Sequence, residues 1–216
     1  VPGFFVTFEG VEGCGKTTQA ELLKAELERD GYRVVSTREP GGTEVGERIR
    51  QILLDYHVRG MEPLTELFLY LAARAQNVQE LIRPALREGA IVIADRFADA
   101  SLAYQGAGRQ IGLSRVLDLN RIATFGLVPD YTILLDVPVE AGMERKSAGH
   151  EGASEHDRIE REELDFHSRV REGYLTLARQ FSDRIEVFDG TLDREELAKN
   201  ISERLKRMLK DRGFGP

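Results

Sequence analysis

Gly10-Val-Glu-Gly-Cys-Gly-Lys16-Thr17 follows the apolar run Phe4-Phe-Val-Thr-Phe8 and opens a helix-like segment at Thr17–Arg29. The spacing fits G-x-x-x-x-G-K-[ST], and its place between a strand and a helix is the context that gives the pattern meaning. Glycines let consecutive backbone N–H groups turn towards one phosphate, and the helix that follows adds the positive end of its dipole. The predicted cradle for ATP is Gly10, Val11, Glu12, Gly13, Cys14, Gly15, Lys16, Thr17 and Thr18. In such a cradle Lys16 reaches the β- and γ-phosphates and the Thr17 hydroxyl completes a Mg²⁺ shell. A dinucleotide fold is disfavoured, because these glycines run G-x-x-G-x-G rather than G-x-G-x-x-G.

Outward from this stretch, apolar runs alternate with helical patterns. Phe4–Phe8, Arg33–Ser36, Ala90–Ala94, Tyr131–Asp136 and Arg184–Phe188 read as strands. Helices are expected at Thr17–Arg29, Thr43–Leu54, Pro63–Glu88, Leu113–Gly126, Pro138–Lys146, Arg158–Phe181 and Arg194–Lys210. The alternation predicts an α/β fold in which a five-stranded parallel sheet is wrapped by helices. Ligands on such sheets bind at the carboxyl ends of the strands, which directs attention to Gly10–Thr17, Thr37–Thr43, Asp95–Phe97 and Val137–Pro138. Residues 147–157 are small, polar and glycine-containing between two helical patterns, and they read as a mobile lid.

The 216 residues suit one domain, residues 1–216, with a core of its own. A net charge of −7 argues against a general nucleic-acid binder, so any anion site must be local. No apolar run approaches the roughly 20 residues of a membrane span, and Val1-Pro2-Gly3 leads directly into a strand. Together with a single cysteine, Cys14, these features lead us to expect a cytoplasmic protein.

A phosphate cradle alone leaves switch GTPases, motors and small-molecule kinases open. Neither N-K-x-D nor D-x-x-G is present. Ala90-Ile-Val-Ile-Ala-Asp95-Arg96 ends an apolar strand in a carboxylate and a guanidinium. That pairing suits an Asp95 that helps hold the metal and an Arg96 that bridges donor and acceptor phosphates. On the helix Pro63–Glu88, Arg74 lies at the edge of the apolar stripe, and its i±4 neighbours Tyr70 and Val78 offer no carboxylate. An inward, unpaired Arg costs several kcal/mol, roughly, so it needs another acceptor. A base carbonyl would serve; a head snorkelling to water or to a distant Glu is the alternative.

Thr37-Arg-Glu-Pro-Gly-Gly-Thr43, Asp95-Arg-Phe97, Ser101-Leu-Ala-Tyr-Gln-Gly106 and Asp157-Arg-Ile-Glu160, in this order and spacing, resemble the bacterial thymidylate kinases from about Phe4 to Phe188. The resemblance implies transfer of the γ-phosphoryl of ATP to dTMP, giving dTDP on the way to dTTP for DNA synthesis. It places Glu12 near the acceptor's 3′-hydroxyl and the metal, and Arg50 and Arg96 on the acceptor phosphate. Tyr70 stacks on the pyrimidine, Arg74 donates to a ring carbonyl, and Ser101 and Gln105 read the other base edge. Tyr104 packs where a ribose 2′-hydroxyl would go. Because the cradle carries no basic residue besides Lys16, the resemblance also implies a lid arginine, for which Arg158 is the first choice and Arg145 the second. His150 and His156 match no zinc spacing and read as polar loop groups. Asp189-Gly-Thr191 is suitably placed for adenine, and the family implies a homodimer; Leu113–Gly126 and the apolar side of Pro63–Glu88 are the candidate contact surfaces, with the core as the alternative place for both. The rivals are a kinase for another pyrimidine monophosphate and a nucleotide-dependent switch with no acceptor.

Overall fold

A computed structural model describes residues 3–148, 158–159 and 162–215. The expected strands are present as β1 (Phe4–Glu9), β2 (Val34–Arg38), β3 (Ile91–Asp95), β4 (Tyr131–Asp136) and β5 (Ile185–Asp189). They pair in parallel in the order β2-β3-β1-β4-β5. Alternate residues of β1 serve opposite faces of the sheet. Phe4, Val6 and Phe8 join Leu23 and Leu27 in one cluster, while Phe5 turns the other way to Val78, Ile82 and Phe97. With both faces covered, β1 is buried along its whole length, which is why it reads as a continuous apolar run rather than an alternating one.

The wrapping helices are α1 (Lys16–Arg29), α2 (Glu44–Leu54), α3 (Pro63–Asn77), α4 (Arg83–Arg87), α5 (Ala98–Ser101), α6 (Leu113–Ala123), α7 (Val139–Ala148), α8 (Leu164–Gln180) and α9 (Arg194–Asp211). Helix α2 starts after Thr43, whose hydroxyl accepts from the Gly46 N–H and so caps the first turn. The strand order reverses at β1, between β3 and β4, and the loop after β1 occupies that switch point. Register pairs Phe8 with Asp95, so the phosphate cradle and the Asp95-Arg96 strand end emerge side by side.

Four boundaries depart from expectation. The helix expected at Pro63–Glu88 changes type midway: a π-helical turn at Val78–Ile82 links α3 to α4. Pro84 supplies a reason, since it has no N–H for the Glu80 carbonyl and its ring crowds that oxygen. Residues 98–108 show no helical periodicity, yet α5 runs into a second π-helical segment, Leu102–Gly108, beneath α8. Two glycines permit that approach: a Cβ on Gly108 would lie 2.7 Å from the Phe166 ring, and one on Gly173 would lie 2.8 Å from Ala107 Cβ. Helix α8 begins at Leu164 rather than Arg158, which lies in a turn with Ile159. Finally, Ser147 and Ala148, expected to open the lid, complete α7. The rest of the expected lid, residues 149–157 with His150 and His156, lies outside the described residues.

Beneath the strand ends, Arg184 forks onto Asp99 at 2.7 and 2.8 Å and also donates to the Thr132 hydroxyl. Asp99 is buried, so removing its partner strands a carboxylate in the interior. Arg184→Met is therefore expected to lower the unfolding free energy by about 3–5 kcal/mol, read from urea titrations. A loss below about 1 kcal/mol would show the pair to be solvated.

Candidate active site

The cradle takes its shape from positive backbone angles that only glycine adopts cheaply: φ is 141° at Gly10, 69° at Gly13 and 95° at Gly15. Gly13 also meets α7 backbone to backbone, since a Cβ there would stand 1.9 Å from the Gly142 carbonyl oxygen. Helix α1 opens with no side-chain cap and no acidic residue in its first turn, leaving its N–H groups to an anion. Val11 and Cys14 turn their side chains into the core, so they can serve a phosphate only through the backbone. Lys16 Nζ donates to the Val11 carbonyl at 2.8 Å and stands 3.4 Å from Cys14 Sγ. The Thr17 hydroxyl donates to Asp95 Oδ2 at 2.6 Å, which puts two oxygen donors together at the mouth of the cradle.

In front of the cradle lies a cavity of about 790 Å³, lined by Gly13, Gly15, Lys16, Thr17, Thr18 and Asp95 among others. A second cavity of about 280 Å³ is lined by Tyr70, Ser101, Tyr104 and Gln105. Glu12, Glu39, Arg50, Arg96 and Lys146 line both. The two lobes therefore meet at a wall that carries three cations.

Arg96 is the centre of that wall. Its backbone is left-handed, with φ 69°, an arrangement that costs about 1–3 kcal/mol in a non-glycine residue. Its N–H bonds the Phe8 carbonyl at 2.9 Å, and the next N–H, that of Phe97, bonds Oε1 of the buried Glu9 carboxyl at 2.8 Å. So held, the guanidinium donates to Glu12 Oε1 at 2.6 Å, to the Gly10 carbonyl at 2.8 Å, and to the Tyr104 and Tyr174 hydroxyls at 3.1 Å. Glu12 also receives Lys146 Nζ at 3.2 Å on its other oxygen. Burial opposes ionisation of Glu12, but Arg96, Lys16 and Lys146 overcome it and hold the carboxyl well below its ordinary range.

The remaining sequence candidates divide. Arg50 lines both lobes, with Nη1 on the Pro40 carbonyl at 2.9 Å. Tyr70, Ser101, Tyr104 and Gln105 gather in the small lobe as expected. Arg74 does point inward, and of the two acceptors open to it the structure supplies the distant Glu rather than a base carbonyl. Glu39, from the loop after β2, pairs with Arg74 Nε at 2.7 Å, with both side chains almost wholly buried. Ser101, Asn120 and the Phe97 carbonyl take three further N–H bonds of Arg74, which itself lies behind the lining of both lobes. Helical spacing could not disclose a partner 35 positions away. Arg158 also departs from its expected place: it lies 2.6 Å from Glu66 and donates to the Leu53 carbonyl at 3.2 Å, and it lines neither lobe. Arg145 lines the larger lobe and donates to the Gly190 carbonyl in the turn after β5.

The thymidylate kinase family model matches residues 8–201. The chain belongs to the thymidylate kinase family. It is 50% identical over 213 residues to a thymidylate kinase of Citrifermentans bemidjiense, a match covering 98% of this chain and 95% of that one. A thymidylate kinase of Pelobacter propionicus is 51% identical over 201 residues, 92% of each chain. The crystal structure of thymidylate kinase from Ehrlichia chaffeensis superposes with a TM-score of 0.76 at 32% identity, covering 95% of this chain and 99% of that one.

For a thymidylate kinase, the residue that sequence reasoning undervalued is Lys146, which entered only as the last residue of an expected helix. It lies four residues beyond Gly142, whose close packing on Glu12 and Gly13 fixes the base of α7 against the cradle. A basic residue one turn past a glycine on that helix was the available signal. Glu9 was likewise unremarked; it accepts from Phe97 N, Ala100 N and the Tyr174 hydroxyl. Burial, and after it Asp99, raise its pKa from 4.5 to about 8 against the pull of Arg96. A carboxyl with a higher pKa folded than unfolded stabilises the fold fully below about 4.5, and that contribution drains away as pH rises to about 8. Across this window the parent protein should lose stability more steeply than Glu9→Gln. Urea midpoints at half-unit pH steps measure it, and parallel profiles would refute the assignment.

Proposed function

We propose that the 790 Å³ lobe takes ATP, that the 280 Å³ lobe takes dTMP, and that Arg50, Arg96 and Lys146 hold the phosphates where the two meet. The observation that carries this reading is the shared wall: a donor and an acceptor that must exchange a phosphoryl group need one surface that neutralises both. The chain is a nucleoside-monophosphate kinase, a phosphotransferase that phosphorylates dTMP with ATP to give dTDP, a step towards dTTP. A kinase for another pyrimidine monophosphate and an acceptor-free switch are not favoured by these relatives.

Thymidylate kinases use ATP with a divalent metal. Thr17 and Asp95 present hydroxyl and carboxylate oxygens, a hard donor set that fits Mg²⁺. No group of three or more His, Cys, Asp or Glu side chains able to hold a metal occurs among the described residues, so the other ligands would be phosphate oxygens and water, as is usual for Mg²⁺. When bound, the ion neutralises charge on the β- and γ-phosphates.

Everything else falls to the chain. Backbone N–H groups of the cradle and Lys16 grip the triphosphate; Arg50 and Arg96 fix the acceptor phosphate; Lys146, with Arg145 beside it, covers the transferring group in the place first expected of Arg158. Glu12 keeps Arg96 aimed at the junction and offers its carboxylate to the sugar hydroxyl. Tyr70 supports the pyrimidine ring, and Tyr104 closes the sugar side. The acceptor is already an ionised phosphate oxygen, so alignment and charge dispersal suffice without a strong base.

We take residues 1–216 as one catalytic domain, supported by the single described sheet. No described helix is long and apolar enough to cross a membrane. A cytoplasmic setting suits this chain and its single buried cysteine. A homodimer is supported by exposed Leu64 and Phe68 on α3 and Ile122 on α6, large apolar side chains on packed neighbours. Phe68→Glu is expected to turn a dimer into a monomer in analytical ultracentrifugation; an unchanged mass would remove this face from consideration.

Transfer itself is tested by coupled ADP release across a panel of monophosphates. We expect strong dependence on dTMP, partial activity on dUMP because a methyl contact is worth roughly 1–3 kcal/mol, and little ATP hydrolysis without an acceptor. Lys16→Ala should lose transfer while keeping its fold by circular dichroism. Rapid ATP turnover indifferent to every acceptor would contradict the reading.

A further inference from the structure

Behind the small lobe, and outside the phosphate chemistry, lies a second buried charge cluster. Glu66 of α3 is fully buried. It accepts Gln105 Nε2 at 2.8 Å and the Arg109 fork at 3.0 and 3.1 Å, and pairs with Arg158 at 2.6 Å. Arg109 in turn pairs with Glu162 at 2.6 Å, so two carboxylates balance two guanidiniums. Burial disfavours the charged form of Glu66, but Arg109, Gln105 and Arg158 outweigh it and lower its pKa.

An ionised carboxylate can only accept hydrogen bonds. The amide of Gln105 therefore has one permitted orientation, with its nitrogen on Glu66 and its carbonyl Oε1 as the end that meets the lobe. A parallel constraint acts on Ser101. Arg74 can only donate, so it occupies a lone pair of the Ser101 hydroxyl and leaves the O–H proton to be offered elsewhere. Both residues line the lobe. The wall thus presents one acceptor and one donor, and two buried ion networks set which is which.

We propose that Glu66 is a specificity-determining positioning residue: by fixing the polarity of Gln105 it makes the lobe accept a pyrimidine edge with a carbonyl beside a ring N–H, and reject the cytosine edge, where an amino group stands beside a bare ring nitrogen. The inference rests on the assignment of the small lobe to the acceptor base. A cytosine ring nitrogen would face Gln105 Oε1 lone pair to lone pair, and its amino group would face the Ser101 proton. Sites that hydrogen-bond a substrate edge discriminate strongly because a mismatched group leaves buried polar atoms unpaired.

Glu66→Gln keeps the shape and removes the obligatory acceptor, allowing Gln105 to turn over. KM and kcat for dTMP and dCMP, with calorimetric titration of both, should show a dTMP KM raised about tenfold, kcat changed far less, and the dTMP to dCMP ratio of kcat/KM narrowed at least tenfold. Should the variant unfold, the charge-matched E66Q/R109M pair carries the same expectation. An unchanged ratio, or a uniform fall in kcat for both acceptors, overturns the proposal and leaves Glu66 a structural residue only. Failure of the parent protein to prefer either nucleotide would instead bring down the acceptor-lobe reading on which it rests.

Discussion

The ion pair between Arg96 and Glu12, at 2.6 Å, ties the phosphate cradle to the end of β3 and so fixes one lobe against the other. Neither residue is held by its own element alone. Arg96 sits in a left-handed conformation that its neighbours enforce through Phe8 and Glu9, and Glu12 sits in a loop whose turns depend on glycine. Strain of about 1–3 kcal/mol at Arg96 persists because several hydrogen bonds over-determine it. What the strain secures is direction: the guanidinium leaves the strand end facing the cradle rather than solvent.

That arrangement reconciles an acidic chain with an anionic pair of substrates. The net charge of −7 is spread over the surface, whereas Lys16, Arg50, Arg96, Arg145 and Lys146 converge on one cleft. Field in a partly enclosed cleft depends on nearby charges more than on distant screened ones. Two of the four carboxylates that line it are committed to cations, Glu12 to Arg96 and Lys146 and Glu39 to Arg74, while Asp95 takes the Thr17 hydroxyl. The buried pairs at Arg74 and Glu66 contribute shape and polarity to the small lobe, and buried ion pairs are better read as specifying an arrangement here than as large net stabilisers.

The cradle, the parallel sheet and the choice of family were legible in the residues because each depends on local pattern. Gly10, Gly13 and Gly15 declare positive φ, and Lys16-Thr17 follow at fixed spacing. Apolar runs such as Phe4–Phe8 declare a strand buried on both faces. The destinations of long cationic side chains were not legible. Reasoning along the helix left Arg74 either a base carbonyl or a distant Glu, and the resemblance put Arg158 in the lid; the two end on carboxylates far away in the chain, Glu39 and Glu66. The π-helical segment Leu102–Gly108 escaped notice for a related reason: its form depends on α8 packing against Ala103, Ala107 and Gly108, and i→i+5 bonding leaves no usual periodicity.

By itself, then, the order of residues determined the phosphate-binding turn, the sheet and the pairing of Asp95 with Thr17 as neighbours at the strand ends, since these follow from backbone preference and burial of alternating or continuous apolar runs. Only the tertiary structure decided which cations face the cleft, that Lys146 stands there and Arg158 does not, and which way the Gln105 amide is turned. The physical reason is reach: an Arg or Lys head lies several ångströms from its own backbone, and its partner is whichever carboxylate or carbonyl the completed packing brings within about 3 Å.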